Sequence, residues 1–379
     1  MPLVISNPFL YLLCLALIAV SITILDKKTK WGFFKFIPVV VLIYATTMFC
    51  ASVGLWELND DINNIYKLTK TNLLPAMIFL MLLQVDIRAF IKLGKKLIIS
   101  YVLAVFSISV GFILIPFILN FDQNMLKAFG ALAGSWMGGT ANMVAVGSAI
   151  GVGDKAFGYA LIVDSFNYTL WVALLLFLVG FSNIFNRYIG VDSTQKNIDS
   201  LGCACNLGAK RYWFLVLLSL FVSFVSQFIA QNIAFISSTT TMVVVATLAG
   251  IAGSFTKLKN INGSNDIATS MLFMLIALIG SRAVFENFSG VGYYVLGGFL
   301  ILLIHLAIMV VGAKIFKLDL FSISVASLSN IGGVASAPIL AAAYNKSLVG
   351  IGVLMAIMGY IIGTFGGLLV AYIITGSVQ

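Results

Sequence analysis

Charged residues are scarce in this chain. They make up 9% of it, against roughly a quarter in soluble domains, which excludes a fold that closes its core behind a charged surface. Histidine occurs once, as His305, so a His-rich metal centre is excluded, and no His-Glu-x-x-His zinc motif occurs. There is no Gly-x-x-x-x-Gly-Lys-Ser/Thr loop for ATP hydrolysis, no Gly-x-Ser-x-Gly nucleophile elbow and no Thr-Val-Gly-Tyr-Gly filter of K⁺ channels. With no clustered acid, base or metal ligands, the expectation is a protein that is not an enzyme and holds neither metal nor cofactor. The four cysteines lack zinc-type or disulfide-framework spacing: Cys14 and Cys50 sit in apolar runs, Cys203 and Cys205 in a polar loop. A cleaved signal is not expected, because Lys27, Lys28 and Lys30 follow the first apolar run instead of preceding it. The net charge of +9 comes without a basic run long enough for a phosphate-binding face, so nucleic acid is not an expected partner.

What is present is apolar: 61% of the residues. A membrane span needs about 20 apolar residues, and ten segments are predicted to be spans. They are Phe9–Leu25, Ile37–Leu55, Leu73–Val85, Leu97–Leu119, Ala156–Phe181, Trp213–Phe235, Thr241–Phe255, Ile267–Ser281, Val291–Phe316 and Leu348–Ile374. Two further apolar segments are interrupted: Leu126–Gly151 by Gly138-Gly139-Thr140-Ala141-Asn142, and Leu320–Tyr344 by Asn330-Ile331-Gly332-Gly333-Val334-Ala335-Ser336. The fold class expected is an all-α integral membrane protein.

The polar stretch Asn183–Arg211 divides the chain. A shift of 194 residues lays Gly138-Gly139 on Gly332-Gly333, Ser135 on Ser329 and Arg88-Ala89 on Arg282-Ala283. Several matches at one offset argue for an internal repeat, as in many secondary transporters. The expected organisation is a first repeat over 1–182, a cytoplasmic linker over 183–211 and a second repeat over 212–379. Basic residues collect in cytoplasmic loops, which tests the direction of the interrupted segments. If both cross fully, Lys and Arg divide evenly between the two sides. If both return as hairpins, over 126–151 and 320–345, only Lys67, Lys70, Lys127, Lys155 and Arg282 lie outside, leaving 17 of 22 inside. The hairpin topology is preferred. It puts the N-terminus outside and makes the halves inverted copies.

Each hairpin arm of about ten residues rises roughly 15 Å, half of an approximately 30 Å hydrocarbon core, so the tips are expected at the midplane. Non-helical backbone at that depth is tolerated where it lines a polar cavity. Gly138, Gly139, Gly332 and Gly333 allow close approach to a ligand, and Thr140, Asn142, Asn330 and Ser336 add donors and acceptors. Helix N-termini starting at the tips suit an anion. The competing structural reading makes the Gly-Gly pairs packing points or kinks in ordinary spans. Asp164 lies in an otherwise apolar span, and intramembrane acids are candidates for binding H⁺ or Na⁺. Ser165 and Asn167 could add neutral oxygen ligands. The structural alternative there is a buried hydrogen bond. Asp86 beside Arg88 suggests a surface pair. Arg282 suggests a snorkelling side chain or an anion contact, and His305 a satisfied buried polar group. The stripes Gly130, Gly134, Gly138 and Gly359, Gly363, Gly367 suit close helix packing in lipid.

Gly134-Ser135-Trp136-Met137-Gly138-Gly139-Thr140-Ala141-Asn142-Met143 resembles the signature of the YjcL-like membrane family, long labelled only as a domain of unknown function. Asp164-Ser165…Asn167-Tyr168…Trp171 and Ser329-Asn330-Ile331-Gly332-Gly333 resemble it too, and the likeness runs over nearly the whole chain. The resemblance implies kinship with the cation:proton antiporter and anion transporter superfamily, which includes sodium/glutamate and bile-acid-type symporters. It therefore implies an elevator-type transporter with inverted repeats, a Na⁺- or H⁺-coupled organic anion or amino acid, and a homodimer. The paired Asp residues of the electrogenic antiporter branch are not evident, since Ser165 follows Asp164.

The expected function is a secondary active symporter in the cell membrane for a small anionic or zwitterionic solute, such as an amino acid, small peptide or carboxylate. An ion-only antiporter or channel is the first rival. A lipid-directed membrane enzyme and a non-transporting receptor are the others.

Overall fold

In lipid the backbone must satisfy its own polar groups, and apolar chain segments do so as helices. The computed structural model describes residues 4–29, 39–85, 90–191, 208–232, 238–261, 263–283, 290–345 and 348–376. Among these residues the fold is all-helical, with one isolated bridge between Ile5 and Trp56 and no sheet. In the first half the helices are α1 (Pro8–Thr29), α2 (Val39–Ser52), α3 (Asp60–Leu82), α4 (Lys95–Ile118), α5 (Gln123–Gly138), α6 (Thr140–Ala149) and α7 (Asp154–Leu178). After a short 3₁₀ turn comes α8 (Ser182–Ile189). Then follow α9 (Ala209–Asn232), α10 (Ser238–Ser254), α11 (Ser264–Gly280), α12 (Val291–Phe316), α13 (Leu320–Ile331), α14 (Gly333–Tyr344) and α15 (Val349–Thr375). Among the described residues, six helical stretches are long and apolar enough to cross a membrane: α1, α4, the run from α7 through α8, α9, α12 and α15. Helices α2, α10, α11 and α13 are apolar but shorter.

Two expectations need correction. The third segment, predicted over Leu73–Val85, belongs to a helix that starts at Asp60. Its polar first half hid it from an apolar-run reading. The Asn59 side chain accepts from the Ile62 N–H at 2.9 Å, Asp60 and Asp61 complement the helix dipole, and Ile62 and Tyr66 are buried. The polar stretch 183–211 is also not all loop, because it contains most of α8 and the start of α9. Arg88-Ala89, Asp86, Cys203 and Cys205 lie outside the described residues.

Contacts at helix ends assign them to two faces of the molecule. On the first face the Ile5 N–H donates to the Leu55 carbonyl at 2.8 Å, and Trp56 Nε1 donates to the Ser281 carbonyl at 3.0 Å. Tyr293, at the start of α12, donates to the Leu119 carbonyl, just after α4, at 2.6 Å. On the second face the Leu320 N–H donates to Asn186 Oδ1 at 2.9 Å, and Lys314 Nζ donates to the Tyr188 carbonyl at 2.7 Å.

The two interrupted segments are antiparallel helix pairs. In the first, a Cβ on Gly134 would meet Val146 at 2.9 Å, and one on Gly130 would meet Ile150 at 3.2 Å, so α6 returns along α5. In the second, the rings of Phe321 and Tyr344 stack edge-on at 5.3 Å, joining the start of α13 to the end of α14. The first pair opens to the first face, beside Leu119. The second opens to the other face, beside Asn186.

The helices sort into two bodies. Helices α1, α2, α3, α9, α10 and α11 pack on one another, and so do α4–α7 with α12–α15. The seam between them includes Thr240, whose hydroxyl donates to the Ala149 carbonyl at 3.0 Å. At its first-face end, Tyr44 and Tyr66 donate to the Asp154 carbonyl and to Asp154 Oδ1 at 2.8 and 3.3 Å.

Candidate functional site

Helix starts are treated differently at the faces and at the tips. At the faces an acid caps the hairpin arm. Asp122 Oδ1 accepts from the Asn124 and Met125 N–H groups at 2.8 and 3.0 Å, and Asp319 accepts from Ser322 at 2.8 Å. At the tips, α6 and α14 start from Gly139 and Gly332 with no side-chain cap. Their first N–H groups and the positive dipole end are left to whatever occupies the space in front of them. Gly139 at φ +89° and Gly333 at φ +60° take backbone conformations that side chains disfavour.

The first tip is closed. Gly130, Gly134 and Gly138 on α5 lie against the α15 stripe: a Cβ on Gly367 would come within 2.7 Å of the Gly134 Cα, and one on Gly363 within 2.8 Å of the Gly138 Cα. Asn142 locks the crossing. Its Nδ2 donates to the Gly138 carbonyl at 2.9 Å and the Gly359 carbonyl at 3.1 Å, and its Oδ1 accepts from Thr364 at 2.7 Å. Asn142, expected as a ligand, has its polar atoms used in this brace. Thr140 is half-buried beside it.

The second tip carries unsatisfied groups. Ser329, Asn330 and Ser336 are buried; Ser329 Oγ and Asn330 Oδ1 have no hydrogen-bond partner, and Ser336 Oγ lies by the Tyr168 hydroxyl. Asn330 Nδ2 turns back to the Ala326 carbonyl at 2.8 Å. Orphaned buried polar atoms cost about 1–3 kcal/mol each, and two beside one helix break are consistent with a site whose ligand supplies the missing bonds.

Helix α7 touches both tips in consecutive turns. Asp164 Oδ1 accepts from Trp136 Nε1 at 2.7 Å and Oδ2 from Ser135 Oγ at 3.1 Å, both in the last turn of α5. One turn on, the Tyr168 ring lies so close to the second tip that a Cβ on Gly332 would be 2.8 Å from it. Three residues further, Trp171 Nε1 donates to Ser327 on α13 at 2.8 Å. The other expected ion ligands are not gathered there. Asn167 faces α12, where its Nδ2 donates to the Val163 and Val295 carbonyls at 2.9 and 3.2 Å. Ser165 is adjacent in sequence, and neighbouring helix positions do not face each other.

Ser135, Trp136 and Tyr168 were missed as site residues, although a buried indole N–H needs an acceptor and Asp164 offers one. Arg282 lies away from the tips, with its guanidinium donating to Asn63 and stacked 4.7 Å from the Tyr66 ring. His305 is buried and bonded at both ring nitrogens. Ser107 gives its hydroxyl proton to the Ala104 carbonyl at 2.9 Å and so accepts from His305 Nδ1 at 2.6 Å. Ser327 accepts from Trp171 and donates to Nε2 at 2.7 Å.

Comparison with known proteins agrees with this membrane architecture. The chain is 24% identical over 375 residues to the uncharacterized membrane protein YjcL of Bacillus subtilis (strain 168), covering 92% of each. Residues 12–376 match the family described as protein of unknown function, DUF819. This all-helical integral membrane protein belongs to the DUF819 family.

Proposed function

We propose that the protein is a secondary active transporter that uses a Na⁺ or H⁺ gradient to move a small anionic or zwitterionic organic solute. The observation that carries this reading is the meeting of two oppositely opening hairpins on α7, beside the intramembrane carboxylate Asp164 and the unpartnered Ser329 and Asn330 oxygens of the second tip. Hairpins of this kind, one from each half, support an inverted-repeat transporter with ten spans and two re-entrant segments. The division into two bodies supports an elevator, in which α4–α7 and α12–α15 shift against α1–α3 and α9–α11.

In this reading the uncapped N-termini of α6 and α14 face the solute's negative group, and Ser329, Asn330 and Ser336 orient it. Asp164 takes the coupling cation. Of the described Lys and Arg, twelve fall on the second face, while Lys67, Lys70, Lys127, Lys155 and Arg282 fall on the first. That supports a cytoplasmic second face and an N-terminus outside.

The test is uptake into proteoliposomes of the purified protein under an imposed Na⁺ or H⁺ gradient. The panel holds glutamate, aspartate, small dipeptides and mono- and dicarboxylates. The expected result is gradient-driven accumulation that Asn330→Ala abolishes and Asp164→Asn uncouples from the gradient. If the ion gradient collapses through the protein with no solute accumulated, the ion-only rival replaces this reading.

A further inference from the structure

A cavity of about 470 Å³ opens on the second-face side between α7, α8, α12 and α13, within the roughly 300–1,000 Å³ of ligand pockets. It is separate from the hairpin tips. Its walls are aliphatic and aromatic, with Leu178, Ile184, Met309 and Ile323 among them. The polar groups on its floor are already engaged: His305, Ser327 and Trp171 bond one another, and Ser324 lies 3.5 Å from the Tyr344 hydroxyl. Such a floor offers nothing to a polar solute. The outer rim carries the opposite character. Lys314 Nζ sits 4.4 Å above the Tyr188 ring, Arg187 is exposed in the same turn of α8, and Tyr188 itself lines the cavity. The neighbouring acid, Asp319, is buried as the cap of α13.

We propose that this cavity is a binding site for an anionic phospholipid, one acyl chain inside and the headgroup phosphate at Lys314 and Arg187. Amphipathic α8 forms one wall, so the chain enters from the leaflet on that face. The lipid braces α13, the outer arm of the second hairpin, through Leu320 and Ile323. The proposal does not depend on the transport reading.

The experiment is native mass spectrometry of the delipidated full-length protein. It is titrated with phosphatidylglycerol or with phosphatidylcholine of the same chains. The expected result is one tightly retained phosphatidylglycerol, preferred by roughly thirtyfold over phosphatidylcholine for two interfacial cations. Val310→Trp, which fills the cavity, removes retention of both lipids. The exposed pair Lys314→Gln with Arg187→Gln removes the preference and leaves phosphatidylcholine retention unchanged. Equal retention of the two lipids by the native chain, or an unaltered preference in the Lys314→Gln/Arg187→Gln protein, overturns the proposal. So does a Val310→Trp protein that retains lipid as before. A Val310→Trp protein that changes oligomeric state instead assigns the cavity to a second copy of the chain and equally overturns it.

Discussion

Two asparagines at equivalent depth have opposite roles. Asn142 is bonded through both ends of its amide, so Asn142→Ala removes three bonds from a buried crossing, leaving the Gly138 carbonyl at the α5 end without this donor and Thr364 with the Tyr360 carbonyl alone. Loss of a fully used buried amide costs about 1–3 kcal/mol, and thermal unfolding in detergent should show that drop. Asn330 carries an acceptor with no partner. Asn330→Ala should leave the unfolding temperature nearly unchanged while uptake is lost. A matching drop in stability for both variants would remove the distinction between brace and ligand. Sequence reading put both residues in one class because both flank a Gly-Gly pair. It could not see Thr364, which is 222 residues away from Asn142.

At the scale of elements, helices built from uninterrupted apolar runs were legible, and Val291–Phe316 appears with its expected bounds. Elements held by caps and aromatic contacts were not. The first half of α3 depends on Asn59 and on burial of Tyr66, and α8 sits in a polar stretch. The two interrupted segments were legible through their Gly-Gly breaks and their return as hairpins through the Lys and Arg count, but their unequal closure was not. One tip is zipped to α15 by facing glycines, and the other is held against α7 by side chains. Gly138→Ala should therefore be severe, because its methyl would collide with the Gly359 carbonyl and the Asn142 amide. Overpacking of this kind costs about 1–3 kcal/mol. At Gly139 a methyl meets nothing, yet φ +89° and ψ 172° form a backbone region open essentially to glycine alone, at about 1–3 kcal/mol for other residues. Gly147→Ala is the control, since its methyl would find its nearest neighbour at 3.2 Å. Unfolding temperatures that rank Gly138→Ala with Gly147→Ala would contradict the zipped crossing.

For the whole molecule, the seam between the two bodies is the testable feature. Thr240 on α10 and Ala149 at the end of α6 meet across it. With Cys14, Cys50, Cys203 and Cys205 replaced by serine, Thr240→Cys with Ala149→Cys places two thiols there. If one body slides past the other during transport, oxidation should stop uptake and reduction should restore it. A protein that is fully cross-linked by mass and still accumulates solute would show that the bodies move together.

In the proposed transport reading, the contact of α7 with both tips would also make that helix a ruler. Asp164 and Tyr168 are one turn apart, about 6 Å along the axis, and each marks one tip. A solute gripped from both ends has its length gauged by that rise, a span of a few carbon atoms. Competition among dicarboxylates of increasing chain length should then give a sharp cutoff instead of a gradual decline.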